Sequence, residues 1–248
     1  DLFRNRPGAE GDPEEGAHQR RADDDLYTDA LFNISDPGCK YGAVEGVIII
    51  EELSRGMGSL GLIMCPHYQC CDLIAQDGSE ELKRTVLVPA MKGEKVLAYA
   101  LSEASGGSDA LGIDTTAMRS GNFWVLNGAK CWVTNSGFAD GYVVAAKTAA
   151  NGRSRSVSLF YVDRNAPGLE ILENDKMLGM FNSPIGAIKF VDCRIPLDCL
   201  IGTENEGYRL IKLALNEGRL SLSAVAIGIA QRAMELSTEY SSCTGQYG

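Results

Sequence analysis

Two hydrophobic periods divide the chain. Over residues 26–95 apolar positions recur at helical spacing, whereas over 96–202 they fall in short β-branched and aromatic runs. In AVEGVIIIEELSRG, Val44, Val47, Ile48 and Leu53 are interrupted by acids and Arg55 and are followed by Gly56, which predicts an amphipathic helix with its stop signal. SLGLIMCPHYQCCDLIAQDG is apolar nearly throughout and predicts a buried helix interrupted near Pro66, because proline removes a donor from the ladder. SEELKRTVLVPAMKGE predicts a helix with Ser79 as N-cap and two acids in its first turn. Beyond it, VLAYALS, NFWVLNG, KCWVTNS, GYVVAAKT, VSLFYVD, LEIL and AIKFVD are separated by Gly, Asn, Asp and Pro, as expected of strands in an all-β barrel or sandwich. After GTENEGY the helical period returns, with Leu222, Val225, Ala226, Ile229, Ala233 and Leu236 on one face.

The expected fold class is therefore α+β and multi-domain. A charged, Gly- and Pro-containing segment over 1–25 reads as a loose tail, followed by a helical domain over 26–95, a β domain over 96–202 and a helix within 203–248. One amphipathic helix cannot bury its face alone. The last helix is thus expected to pack on a partner chain or on helices that this sequence lacks, leaving Leu222, Val225 and Ile229 uncovered within the chain.

Composition narrows the function. The chain of 248 residues is 45% apolar and carries a formal charge of −10, a balance that disfavours nucleic acid or an anionic membrane as the main partner. No apolar run reaches the ~20 residues of a membrane span, and DLFRNRPGAEGDPEEG has no apolar stretch of a signal peptide. The eight cysteines are scattered without a CxxC, which points to buried thiols in a reducing, intracellular compartment. His18 and His67 are the two histidines and neither has ligand-spaced cysteines, so neither a zinc site nor a Ser-His-Asp triad is expected.

Candidate chemistry concentrates in two stretches. In YALSEASGGSDALGIDTTA, Gly106 and Gly107 allow close backbone approach to a ligand, and Ser102, Ser105 and Ser108 add hydroxyls beside amides able to cradle an anion. The alternative is a polar connection between strands. No GxxxxGK[ST] is present. In LNGAKCWVTNSGF, strict alternation puts Trp132 and Thr134 on one side of a strand, where an indole and a hydroxyl can cover and hydrogen-bond a planar heteroaromatic ring. The alternative is a core tryptophan.

With these stretches, EELSR (51–55), GSEELKRTVLVPAMKGE (78–94), LNGAKCWVTN (126–135), PGLEI (167–171), KMLGM (176–180) and EGR (217–219) fall in one order that resembles the acyl-CoA dehydrogenase family over residues 40–248. The resemblance implies an N-terminal helical domain, a middle β-barrel and a C-terminal four-helix bundle, with the last helix here as the first of that bundle. It implies FAD as cofactor, an acyl-CoA thioester as substrate, and α,β-dehydrogenation with hydride transfer to the flavin in fatty-acid β-oxidation. An electron-transferring flavoprotein would be the electron acceptor, and a homo-oligomer the assembly. By the same resemblance Tyr99, Leu101, Ser102, Gly107, Ser108, Trp132, Val133 and Thr134 would bind the cofactor. Ser108, Asn216 and Arg219 would meet the substrate. The compartment would be the mitochondrial matrix in a eukaryote or the cytoplasm in a bacterium.

The sequence departs from the family at three places, one of them the N-terminal domain, which lacks the long first helices expected and carries SDPGCKYG as a distorted form of the family's Gly-rich loop. The family's base lies on a later bundle helix or, in a minority, just before the arginine of an ER pair, where this chain has Gly218 before Arg219. Glu217 is one residue earlier, turned by about 100° on a helix. It is a weak candidate base, with a solvated helix carboxylate as the alternative. In YSSCTGQYG, Thr244 stands where the family pattern has an FAD-contacting arginine, which removes a bidentate phosphate contact. The alternative function is a catalytically inactive, shortened paralogue serving as a binding or assembly subunit.

Overall fold

A computed structural model describes residues 43–148 and 156–245. The expected tail and the SDPGCKYG stretch lie outside the described residues, as do Gln246, Tyr247 and Gly248. Helix α1 (Ala43–Gly56) is followed by α2 (Gly58–Asp77), then α3 (Glu80–Leu82), a π-helical turn (Lys83–Leu87) and α4 (Val88–Met91). Ser79 caps α3 as expected, its hydroxyl accepting from the Leu82 amide at 3.2 Å. Helix α2, in contrast, is not interrupted at Pro66 but runs through it. The missing donor costs one ladder bond, and burial of Cys65, His67, Cys70, Leu73 and Ile74 around it outweighs that loss.

Eight strands follow: β1 (Leu97–Ala100), β2 (Thr116–Ser120), β3 (Phe123–Thr134), β4 (Gly141–Lys147), β5 (Val157–Asp163), β6 (Leu169–Asn174), β7 (Ile185–Pro196) and β8 (Leu200–Ile201). They form one sheet in the order β6-β7-β3-β2-β4-β5-β8, with β1 parallel to β4. The two runs NFWVLNG and KCWVTNS, expected as separate strands, are the single strand β3. Their intervening Gly128 sits at φ +142°, beside a register shift against β7 and against Thr115, and a Cβ there would meet the Thr115 backbone at 2.7 Å.

Strands β4 and β5 are buried on both faces, and their alternation separates two cores. Val143, Ala145, Val157, Leu159 and Tyr161 face the helices, packing with Leu73, Ile74, Leu87 and Ile211. Tyr142, Val144, Ala146, Phe160 and Val162 face inward, packing with Trp124, Leu126, Ile188 and Phe190 across the curled sheet. The architecture is thus N-terminal helices, a middle sheet domain and a C-terminal helix. His67 joins the first two layers, its Nδ1 accepting from the Leu97 amide at 3.2 Å, and burial lowers its pKa so that the acceptor form persists.

The final helix, α5 (Gly207–Cys243), is not left without an intramolecular partner. Ala224 and Val225 pack with Ile50 of α1 and Cys65 of α2, and Arg55 bonds Glu235 at 2.8 Å. The buried face also differs from the expected stripe. It is drawn from Leu210, Ile211, Ala214, Gly218, Ser221, Ala224, Val225 and Gly228, while Leu222 and Leu236 are exposed. Small residues win because the helix backbones approach closely: a Cβ on Gly228 would collide with the Glu51 carbonyl oxygen of α1. By length and composition α5 is also the one helix among the described residues long and apolar enough to cross a membrane, although charged residues such as Arg219 and Arg232 interrupt its apolar run. The described cysteines are free thiols.

Gly228→Leu should lower stability by about 2 kcal/mol or more through overpacking at the α1–α5 crossing, whereas Ile227→Ala on the exposed side should stay within about 0.5 kcal/mol of the parent. Thermal denaturation followed by circular dichroism checks this, and equal melting of the two variants would contradict the close approach.

Candidate functional site

Where α2, β1, β3 and α5 meet there is a cleft of about 200 Å³. Leu62, Pro66 and Gln69 line it from α2, Tyr99, Leu101 and Ser102 from the end of β1, Cys131, Trp132 and Thr134 from β3, and Gly218 from α5. The sequence-derived candidates Tyr99, Leu101, Ser102, Trp132 and Thr134 are therefore gathered at one place. The Val133 side chain is instead packed in the inner core, so only its backbone can serve the cleft. Gly107 and Ser108 sit on the exposed loop beyond Ser102. A Cβ on Gly107 would meet the Ser102 hydroxyl at 2.7 Å, so the glycine is what lets that hydroxyl lie against the loop. Asn216 and Arg219 are exposed on α5 and bond each other at 2.9 Å, outside the cleft lining. Thr244 is exposed beyond the end of α5.

Trp132 reaches the cleft through a bulge. Up to Lys130 the even positions of β3 are buried, as Trp124 and Leu126 show. Between the pairs Lys130–Ile188 and Val133–Gly186 one extra residue enters β3, and Trp132 takes φ +54°. The parity then reverses, so Val133 is buried and Trp132 is 59% exposed along the cleft. Asn135, at φ +72°, pins the following turn by donating to the Ile63 carbonyl at 2.9 Å and the Leu97 carbonyl at 3.2 Å.

A buried ion pair fixes the opposite wall. Lys130 Nζ donates to Glu103 Oε1 at 2.6 Å and to the Leu101 carbonyl at 3.0 Å, with the lysine side chain fully buried. Glu103 also accepts from the Asp114 and Thr115 amides, closing the loop that carries Gly107 and Ser108. Burial pulls the Lys130 ammonium down to about 8. Burial would raise Glu103, yet Lys130 and the amides hold it below its ordinary value. The two shifts favour opposite states of the pair; the short contact and the convergent donors decide for the charged one. Sequence reading missed both residues, although a lysine inside the apolar alternation of GAKCWVT is a signal of a buried partner.

Behind the cleft lies a smaller cavity of about 20 Å³ between α1, α2 and α5, lined by Asp72 and Glu217 together with Tyr68, Gln69 and Ser221. Glu217 is thus half-buried rather than fully solvated, and it does not line the cleft itself. The helical turn between positions 217 and 218 directs Gly218 to the cleft and Glu217 to the cavity. Gln69 separates the two, its Nε2 donating to the Ala214 carbonyl at 2.6 Å in space that a Cβ on Gly218 would take. Burial, then the Glu217 charge, pushes the Asp72 carboxyl up to about 9, and burial raises Glu217 as well. No group of three or more metal-ligating side chains occurs among the described residues.

Two outcomes follow. Lys130→Met should cost about 3–5 kcal/mol by leaving a buried carboxylate unpaired, and should expose the loop over 102–115 to protease; resistance and melting equal to the parent would contradict the clamp. Because the folded chain holds protons that the unfolded chain has lost between pH 3.8 and about 9 at Asp72, stability should fall as pH rises through that interval. Melting temperatures from about pH 5 to pH 9 should show a shallower fall in Asp72→Asn than in the parent; an unchanged slope would contradict the buried acid.

The fold agrees with comparisons to known proteins. The acyl-CoA dehydrogenase N-terminal domain matches residues 35–94 and the acyl-CoA dehydrogenase middle domain residues 98–193. The mitochondrial short-chain specific acyl-CoA dehydrogenase of Homo sapiens is 36% identical over 224 residues, covering 90% of this chain and 54% of the relative. The structure of butyryl-CoA dehydrogenase from Megasphaera elsdenii superposes with a TM-score of 0.82 at 28% identity, over 93% of this chain and 62% of that one. The FAD complex of PigA does so with a TM-score of 0.80 at 28% identity, over 94% and 65%. The chain spans about half the length of the curated relatives it matches. Since both domain matches fall in order on the helices and the sheet that wall the cleft, the chain belongs to the acyl-CoA dehydrogenase family.

Proposed function

We propose that the cleft holds the ring system of FAD and that the protein is a flavin-dependent oxidoreductase acting on an acyl-CoA thioester by α,β-dehydrogenation. The observation that carries the reading is the convergence of the exposed Trp132 indole with the Ser102 and Thr134 hydroxyls on one cleft. At about 200 Å³ the cleft is smaller than the roughly 300–1,000 Å³ usual for a drug-sized ligand, so it would hold a planar ring system and not a whole dinucleotide. The remainder of the cofactor would then run along the exposed loop at Gly107 and Ser108. The residues present fit the group: Trp132 offers an aromatic face, and Ser102 and Thr134 offer hydroxyls.

FAD, when bound, supplies the acceptor for the hydride. This chain's part is to bind and orient. With the group bound, Leu62, Pro66 and Leu101 would exclude water from the cleft, Trp132 would cover the ring, and Ser102 would donate where charge develops. By the family resemblance, the exposed Asn216 and Arg219 would meet the polar part of an acyl-CoA. An electron-transferring flavoprotein as acceptor, a homo-oligomeric assembly and a place in the β-oxidation of fatty acids accompany this reading. The relative from Homo sapiens is mitochondrial, and a matrix location belongs to the same proposal. A second reading, a binding or assembly subunit without turnover, is favoured by one feature: no carboxylate lines the cleft among the described residues.

Visible absorbance of the purified chain with FAD, and then with an acyl-CoA, separates the two. Retained flavin bands that bleach with the thioester support the dehydrogenase, and retained bands that do not bleach support the subunit. A folded chain that retains no flavin overturns both forms of the cofactor reading. Trp132→Ala should weaken FAD binding by tenfold or more at unchanged circular dichroism, since the indole is exposed and outside the core, for a loss of about 1–3 kcal/mol.

A further inference from the structure

Proline inside α2 leaves one backbone group of the cleft wall without its ladder partner. In an α-helix the Leu62 carbonyl would accept from the amide of residue 66, and Pro66 has no N–H to give. The helix nevertheless runs through this position, from Gly58 to Asp77. The pyrrolidine ring also crowds that carbonyl, which tilts it outward from the helix axis. Leu62 and Pro66 lie one turn apart and both line the cleft, so the oxygen between them is on the cleft side of α2. The neighbouring Ile63 carbonyl has a partner from outside the helix, Asn135 Nδ2 at 2.9 Å. Two side-chain donors of the same wall are engaged elsewhere. Cys65 Sγ donates to the Gly61 carbonyl at 3.2 Å, and Gln69 Nε2 donates to the Ala214 carbonyl at 2.6 Å. A backbone acceptor so placed calls for a donor on whatever fills the cleft.

We infer that the Leu62 carbonyl, freed by Pro66, is an acceptor subsite of the cleft, and that it selects an acyl thioester carrying a hydroxyl or an amide N–H on its acyl chain. The inference rests on the reading of the cleft as a flavin and acyl-thioester site. In that reading the ring lies on the sheet side, against Trp132, Ser102 and Thr134, and the acyl group is what faces α2. α,β-Dehydrogenation needs a hydrogen on each of the two carbons next to the thioester carbonyl, so the donor stands on the third carbon or further along the chain. The side chains of Leu62 and Pro66 are apolar and suit the methylenes on either side of it. One hydrogen bond then separates the substrate from its deoxy analogue, because the analogue leaves the carbonyl unpaired.

Dissociation constants of the chain with FAD added, for pentanoyl-CoA, 4-hydroxypentanoyl-CoA, 5-hydroxypentanoyl-CoA and 5-fluoropentanoyl-CoA, test the subsite. One of the two hydroxy thioesters should bind about tenfold more tightly than pentanoyl-CoA. The fluoro compound, polar but without a donor, should bind like pentanoyl-CoA. Pro66→Ala returns an N–H to the Leu62 carbonyl. It should reduce the hydroxy preference to about twofold or less, while the affinities for pentanoyl-CoA and FAD are kept and the melting temperature does not fall. A role in helix packing alone would move all these affinities together. Equal binding of hydroxy and plain thioesters by the parent overturns the selection, as does a preference that persists in Pro66→Ala. Weaker FAD binding in Pro66→Ala assigns the donor to the ring and overturns the acyl assignment. A parent chain that binds none of the thioesters overturns the cleft reading and this inference together, whereas equal binding of all four overturns this inference alone.

Discussion

The buried contact between Lys130 and Glu103 is the constraint on which the cleft depends. It joins the middle of β3 to the chain just after β1, and its remaining bonds reach the Leu101 carbonyl and the Asp114 and Thr115 amides. The ion pair acts together with backbone bonds that tie the same loop ends, from the Cys131 amide to the Ser102 carbonyl and from the Lys147 amide to the Thr115 carbonyl. Its cost is the removal of two charges from water, which the converging donors and acceptors offset. The benefit is positional: Ser102 is held between Leu101, which the lysine bonds, and Glu103, which the lysine pairs.

The other wall is set by close helix packing. Gly228 lets α5 lie against α1, and Gly218 makes room for Gln69 of α2. Both depend on the absence of a Cβ. The same turn of α5 therefore faces two compartments, a polar cavity on one side of Gln69 and the cleft on the other. A rotation of the helix that brought the larger apolar side chains inward would separate the helices and lose both. The stripe of small residues thus serves the site rather than only the core.

Much of the fold was legible because the two periods are distinct. Apolar repeats near 3.6 residues gave α1 and the helical character of α5, and alternation gave β4 and β5. The cap at Ser79 was readable from residue type alone. The interruption expected at Pro66 did not occur, because local propensity is weak against the burial of a whole helix face. The expected face of α5 was wrong for a related reason. Counting large apolar residues identifies what can be buried, but the contact distance between helices selects for small ones.

The sequence by itself determined the order of helical and β segments, the family resemblance, and most of the cleft candidates. Those are properties of residue type and spacing, which survive without coordinates. It did not determine which side of β3 Trp132 takes, since a bulge shifts the parity and a bulge is decided by pairing with β7. Nor did it join Glu103 to Lys130 or Asp72 to Glu217. The partners are separated by 27 residues in the first case, and in the second they lie on helices flanking the whole sheet domain. Such pairs acquire their chemistry from burial and proximity, and only the tertiary structure supplies both.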